Sequence, residues 1–183
     1  MNKIQKVSKF FKWVFQIILI AMPILLILFW LDVPSPVSTT AADYGFAISY
    51  IPKGIQILHT LSSNTKFLGF IISLIPLTIN VVVLYFLIRL FRSYEKCEIF
   101  SYKNVCYIKN IGYTLVVGQV LSPLYQALLS AALTWHNPHG ERYVNISLSG
   151  TNIGILLAAL MIILISWIMA EGYKLKEDQS YTI

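Results

Sequence analysis

Apolar and polar positions along this chain fall into long blocks rather than a short-period alternation. Four blocks are apolar throughout: WVFQIILIAMPILLILFWL (13–31), FLGFIISLIPLTINVVVLYFLI (67–88), IGYTLVVGQVLSPLYQALLSAAL (111–133) and IGILLAALMIILISWIMA (153–170). None holds an Asp, Glu, Lys, Arg or His. A run of roughly 20 apolar residues crosses a hydrocarbon core of about 30 Å as a helix. A buried helix of a soluble domain rarely extends so far without polar relief on one face. The pattern predicts an all-α membrane protein with four transmembrane helices, built as a single integral membrane domain over residues 1–183.

The polar blocks between the runs set the orientation. With the N-terminus inside, Lys3, Lys6, Lys9, Lys12, Arg89, Arg92, Lys96, Lys103, Lys109, Lys174 and Lys176 are cytoplasmic, and only Lys53, Lys66 and Arg142 lie outside. The connecting segments are short enough for the positive-inside rule to apply. Both termini, the loop 89–110 and the tail 171–183 are then cytoplasmic, with outer loops 32–66 and 134–152. The tryptophans agree, with Trp13 and Trp167 at the inner interface and Trp30 and Trp135 at the outer one.

Composition sharpens this picture. The chain is 57% hydrophobic and 12% charged, where soluble domains carry about a quarter charged residues, and its mean hydropathy is +0.69. The net charge of +6 is a topology signal and an attraction to anionic lipid. No nucleic-acid recognition motif accompanies it, so direct nucleic-acid contact is not expected. The lysines before residue 13 resemble a signal peptide's basic region, but the apolar stretch is longer than the usual one of about 7–15 residues. The first span is read as an uncleaved anchor.

The loop RSYEKCEIFSYKNVCYIKN (92–110) is the most polar stretch and holds both cysteines, Cys97 and Cys106. Facing a reducing compartment, they are not expected to pair, and their spacing matches neither a redox nor a zinc pattern. Helix-entry signals are clearer. Ser101 is placed to cap a helix beginning at Tyr102, and Phe100 and Val105 are placed as a hydrophobic staple. Val105, Ile108, Ile111 and Leu115 then recur at helical spacing, so a short amphipathic helix runs into the third span, its stripe either packing beneath the bundle, the preferred reading, or offered to a partner.

Two segments, YEKCEIFSYKNVCYIKNIG and SWIMAEGYKLKEDQSYTI, resemble the bacterial membrane proteins of domain-of-unknown-function family 2975. Those proteins typically show a Tyr-x-x-Gly-x-Ile-Phe-Ser turn, then Asn-Val, Ile and Ile-Gly, and close with Glu-Gly, Leu, Glu-x-Gln and Thr-Ile. The first motif matches at Tyr94, Ile99, Phe100, Ser101, Asn104, Val105, Ile108, Ile111 and Gly112. The second matches at Glu171, Gly172, Leu175, Glu177, Gln179, Thr182 and Ile183. The departure is Cys97, where the family usually has Gly, which disfavours a tight turn needing positive φ there. The resemblance implies a four-helix topology in the bacterial cytoplasmic (inner) membrane and a genomic pairing with a small helix-turn-helix regulator. It supplies no catalytic residue.

On the outer side, RYVNISLS and DYGFAISYIPKG alternate with a period of two, and two such strands would pair as a small extended, β-like extracytoplasmic cap. The stretch Asp32-Val33-Pro34-Ser35-Pro36 reads as a stiff exit from the first span, and GIQILHTLSS (54–63) as a short interfacial helix. His136, His139 and Glu141 are spaced like partial metal ligands. Pro138 and Gly140 mark a turn there, and a solvated turn without metal is the preferred reading.

Inside the membrane the informative residues are polar and neutral. Gly118, Ser122, Gln126 and Ser130 recur every four residues on one face of the third span, with Gln119 beside them; the second span carries Thr78 and Asn80. Such residues either pack helices closely or line a pocket, and packing is the preferred reading. No ionisable group marks a transport path within the spans. No nucleophile–base pair, metal motif or phosphate loop can be assembled on one side, so no enzyme and no cofactor is expected.

Three functions remain. The first is a regulatory or sensory membrane partner docking a cytoplasmic protein on Tyr94, Ile99, Phe100, Ser101 and Asn104 together with Glu171, Gly172, Gln179, Thr182 and Ile183. The second is a small transport or channel-like protein using the neutral polar residues. The third is a structural subunit whose Gly118 face joins a homo-oligomer or another membrane protein.

Overall fold

The computed structural model describes residues 3–31, 61–98, 101–138, 140, 142, 144–146 and 150–180. Among the described residues, four α-helices account for the regular structure: α1 (Lys3–Leu31), α2 (Ser63–Glu95), α3 (Tyr102–Thr134) and α4 (Gly150–Ser180). All four are long and apolar enough to cross a membrane. Each contains one of the apolar runs and extends past it, mostly into the charged segments. The 33 residues each of α2 and α3 make helices about 50 Å long, well beyond a hydrocarbon thickness of about 30 Å. Pro23, Pro76 and Pro123 lie inside helices that continue through them.

The helices divide into two compact units. The first contains α1 up to Ile20, α2 from Ile79, α3 as far as Gln119, and the whole of α4. Its core is built on Leu84, Leu90, Val105, Ile111, Ala159 and Ile163. Gly112 lets α4 approach α3 closely. A Cβ there would stand 2.5 Å from Ile163 Cγ1 and 3.1 Å from the Ala159 carbonyl oxygen, so no larger residue fits without moving backbone. Phe11 and Phe15 of α1 pack on Phe91 of α2, with ring centroids 5.4 and 5.5 Å apart. Lys12 pairs with Glu95 beside this cluster. These contacts explain why α1 begins well before its apolar run.

The second unit contains the remainder of α1 and α2, the end of α3 and the segment after it. Its core includes Leu26, Leu77, Tyr125, Leu129 and Leu133. Trp30 is 4% exposed, so its ring packs within the chain rather than outward. Its ring lies over Gly69, where a Cβ would be 2.0 Å from Trp30 Cη2. The indole Nε1 donates to Ser73 Oγ at 3.2 Å, and that hydroxyl donates to the Gly69 carbonyl at 2.8 Å. A tryptophan in an apolar environment needs a partner for its N–H, and Ser73 supplies it. Trp13, Trp135 and Trp167 are exposed.

No strand occurs among the described residues. Residues 144–146 of the expected cap are irregular. The Asn145 amide donates to Ser130 Oγ at 2.8 Å instead of to a ladder partner. The other proposed strand, at 43–54, the stiff exit at 32–36 and most of the interfacial helix at 54–63 lie outside the described residues.

Candidate functional site

The short connection between α2 and α3 is a closed turn with a definite geometry. The Cys97 amide donates to the Tyr94 carbonyl at 3.0 Å and the Glu98 amide to the Ser93 carbonyl at 3.2 Å. This pair of bonds is the Schellman arrangement, which needs a left-handed residue just after the helix. Cys97 fills that position with φ of 63°. The tight turn that cysteine was expected to disfavour is therefore made, at a cost that glycine would not incur.

Asn104 locks the turn from the far side. Its side chain is 0% exposed, and its Nδ2 donates to the Glu98 carbonyl. The Asn of the motif thus acts on the turn rather than on the surface. Ser101 stands at the cap position of α3, where its backbone carbonyl accepts from the Asn104 and Val105 amides at 3.0 and 3.3 Å. The expected side-chain cap is absent. Ser101 Oγ is buried and makes no hydrogen bond among the described residues. Val105 and Ile111 are buried and Ile108 and Leu115 half-buried, so the amphipathic stripe packs inward.

The two motif segments meet. Tyr102, at the start of α3, lies against Tyr173 of α4, with ring centroids 6.2 Å apart. Glu171 and Gly172, immediately before Tyr173, are exposed. A Cβ on Gly172 would meet nothing within 4 Å, so no contact among the described residues calls for a glycine there. Glu171 pairs with Lys174 at 3.3 Å, both side chains exposed. Tyr94 is half-buried and packs its edge toward Phe91 at 6.0 Å. Ile99, Phe100, Thr182 and Ile183 lie outside the described residues, as does the side chain of Gln179. Cys97 is exposed and Cys106 half-buried, and both are free thiols.

The neutral polar residues separate into two groups. Gln126 Nε2 donates to Ser122 Oγ at 3.1 Å, and Ser130 Oγ donates to the Gln126 carbonyl at 2.8 Å while accepting from Asn145. Thr78 donates to its own helix at the Leu74 carbonyl, 2.8 Å away. Gly118 admits Ile79, whose Cγ2 lies 2.8 Å from the position of a Cβ. These residues close on the chain itself. Asn80 and Gln119 do not. Asn80 falls on the face of α2 that carries the buried Leu77 and Leu84, three residues before it and four after, yet its side chain is exposed. Gln119 Oε1 is buried and has no hydrogen-bond partner among the described residues.

His136 is exposed, with Nδ1 3.4 Å from Thr65 Oγ1; His139 and Glu141 lie outside the described residues. The basic residues that the sequence presents as a topology signal and a general attraction to anionic lipid are also drawn together. Arg89, Arg92, Lys96 and Lys103 line one cleft between α2 and α3. Their helical spacing from residue 89 to 96 was legible, but the approach of Lys103 depends on the closed turn.

Residues 30–183 match the model of a family described as "Protein of unknown function (DUF2975)". No curated protein and no solved structure matches the chain.

Proposed function

We propose a function for a chain that belongs to domain-of-unknown-function family 2975: a non-enzymatic regulatory or sensory partner in the bacterial cytoplasmic (inner) membrane. In this reading both termini are cytoplasmic, and the α2–α3 turn and the end of α4 together dock a cytoplasmic protein. The observation that carries the proposal is the meeting of the two motif segments through Tyr102 and Tyr173. This contact brings together segments far apart in sequence and supports reading them as one surface. Asn104 and Cys97 fix the turn from within, while Glu171 and Gly172 remain outward. A helical glycine costs about 1 kcal/mol relative to alanine, and a partner's close approach would give Gly172 a reason that the chain's own packing does not. The resemblance implies a small helix-turn-helix regulator as the docked protein.

The test is association in native membranes after Phe100→Ala and Ile183→Ala. The reading expects loss of association with unchanged membrane insertion, and intact association contradicts it.

A second reading, a small transport or channel-like protein, is favoured by Asn80 and Gln119. Polar groups at membrane depth are costly when left without partners, and both side chains belong to the first unit. Alanine at both positions should then change uptake or leak in vesicles; unchanged flux argues against this reading. A structural subunit joined through Gly118 is the weakest of the three, since Ile79 of the same chain already occupies that glycine.

A further inference from the structure

Two clefts in the first unit share Arg92. One, of ≈ 290 Å³, lies between the end of α2 and the start of α3 and is lined by Arg89, Arg92, Lys96, Lys103 and Glu98, with the hydroxyls of Ser93 and Tyr107. Four cations against one carboxylate leave it a formal charge of +3. Arg89, Arg92, Lys96 and Lys103 are the exposed members that no ion pair among the described residues neutralises. Arg89 is steadied from below by the ring of Tyr85, 5.2 Å from its guanidinium carbon. Lys103 stands in the first turn of α3, which carries no acidic residue. A cation at the positive end of a helix dipole is unfavourable on its own, and an anion in the cleft would reverse the sign of that interaction.

The other cleft, of ≈ 360 Å³, is lined by Lys12, Trp13, Gln16, Ile88 and Arg92. Lys12 is already paired with Glu95. Trp13 opens the apolar run of α1 and Ile88 closes that of α2, so this groove leads from the charged segments toward the hydrocarbon depth. A cationic cleft that shares Arg92 with a groove walled in part by Trp13 and Ile88 matches one ligand class: an anion attached to an acyl chain.

We propose that the first unit carries a binding site for an anionic phospholipid. Its phosphate sits among Arg89, Arg92, Lys96 and Lys103, and an acyl chain lies along Trp13 and Ile88. Basic pockets between membrane helices on the cytoplasmic side recognise such headgroups through charge and hydrogen bonds. Planar guanidinium groups suit phosphate oxygens in particular. The site rests on the four helices crossing a bilayer and is independent of whether a cytoplasmic protein docks.

The test is native mass spectrometry of the full chain, released from detergent with phosphatidylglycerol and phosphatidylcholine of identical acyl chains. The expected result is retention of phosphatidylglycerol at least ~10-fold over phosphatidylcholine. The pair Arg89→Gln and Arg92→Gln should weaken phosphatidylglycerol binding about 30-fold, from about fivefold per basic residue at the surface. Lys3→Gln with Lys6→Gln removes equal charge elsewhere and should leave binding within about twofold, as screened distant charge contributes little. If the arginine pair fails to insert, Lys96→Gln with Lys103→Gln on exposed positions carries the same expectation. Equal retention of the two lipids overturns the proposal, as does an equal loss in the Lys3/Lys6 control. Displacement of the lipid by inorganic phosphate alone also overturns it, since that would make the cleft a free-anion site.

Discussion

The two units treat their polar groups in opposite ways. In the second, Ser122, Gln126, Ser130, Ser73 and the Trp30 indole all bond within the chain, and even the irregular segment at Asn145 is tied to Ser130. In the first, four basic side chains, Asn80 and the outward edge at Gly172 are left to whatever surrounds the protein. Polar groups closed on themselves in an apolar medium hold a fold together. A polar side chain left open at membrane depth, as Asn80 is, is costly unless a partner or ligand meets it, and the four exposed cations at the helix ends attract anionic lipid headgroups. The second unit therefore reads as scaffold, and the search for function belongs in the first.

The sharpest way to break that contrast is at Trp30 and Gly69. Trp30→Ala should destabilise the chain by ~3–5 kcal/mol, as for a large buried aromatic. Gly69→Ala should cost ~1–3 kcal/mol by overpacking. Because the two residues touch, the double variant should cost less than the sum of the singles; full additivity in thermal unfolding would separate them and refute the contact. Asn104→Ala should come next. It removes the bond to the Glu98 carbonyl inside a closed turn and should cost ~1–2 kcal/mol. Loss of association should accompany it, although Asn104 never reaches the surface. Smallest is Cys97→Gly, which relieves the left-handed strain and should stabilise by up to ~1 kcal/mol after the glycine's extra chain entropy. A destabilised Cys97→Gly variant would mean that the thiol itself holds the turn.

The four spans were legible because each apolar run is unbroken by charge, a signal that survives any packing arrangement. The helices' extensions were not. The segment from Lys3 to Lys12 looks like a solvated leader until Phe91 is seen to receive Phe11 and Phe15. Trp30 shows the same limit. At the end of an apolar run a tryptophan looks like an interface anchor, and only Gly69, on another helix, makes it core. In the α2–α3 connection, the sequence marked Asn104 and Cys97 as positions of interest. It did not show that one clamps and the other turns, because those roles depend on carbonyls brought into reach by the turn. The basic cleft was hidden for a similar reason. Lys103 joins Arg89, Arg92 and Lys96 only after the chain reverses, whereas a linear count registers all four as orientation signals.

The central claim is that the α2–α3 turn and the end of α4 form one docking surface. A photo-crosslinking residue placed in native membranes at Phe100, and separately at Glu171, tests it most directly, with Trp135 of the second unit as the exposed control. Phe100 and Glu171 should trap the same soluble protein, and Trp135 should not. Crosslinks confined to the chain and to lipid, or a partner captured equally at Trp135, would contradict it.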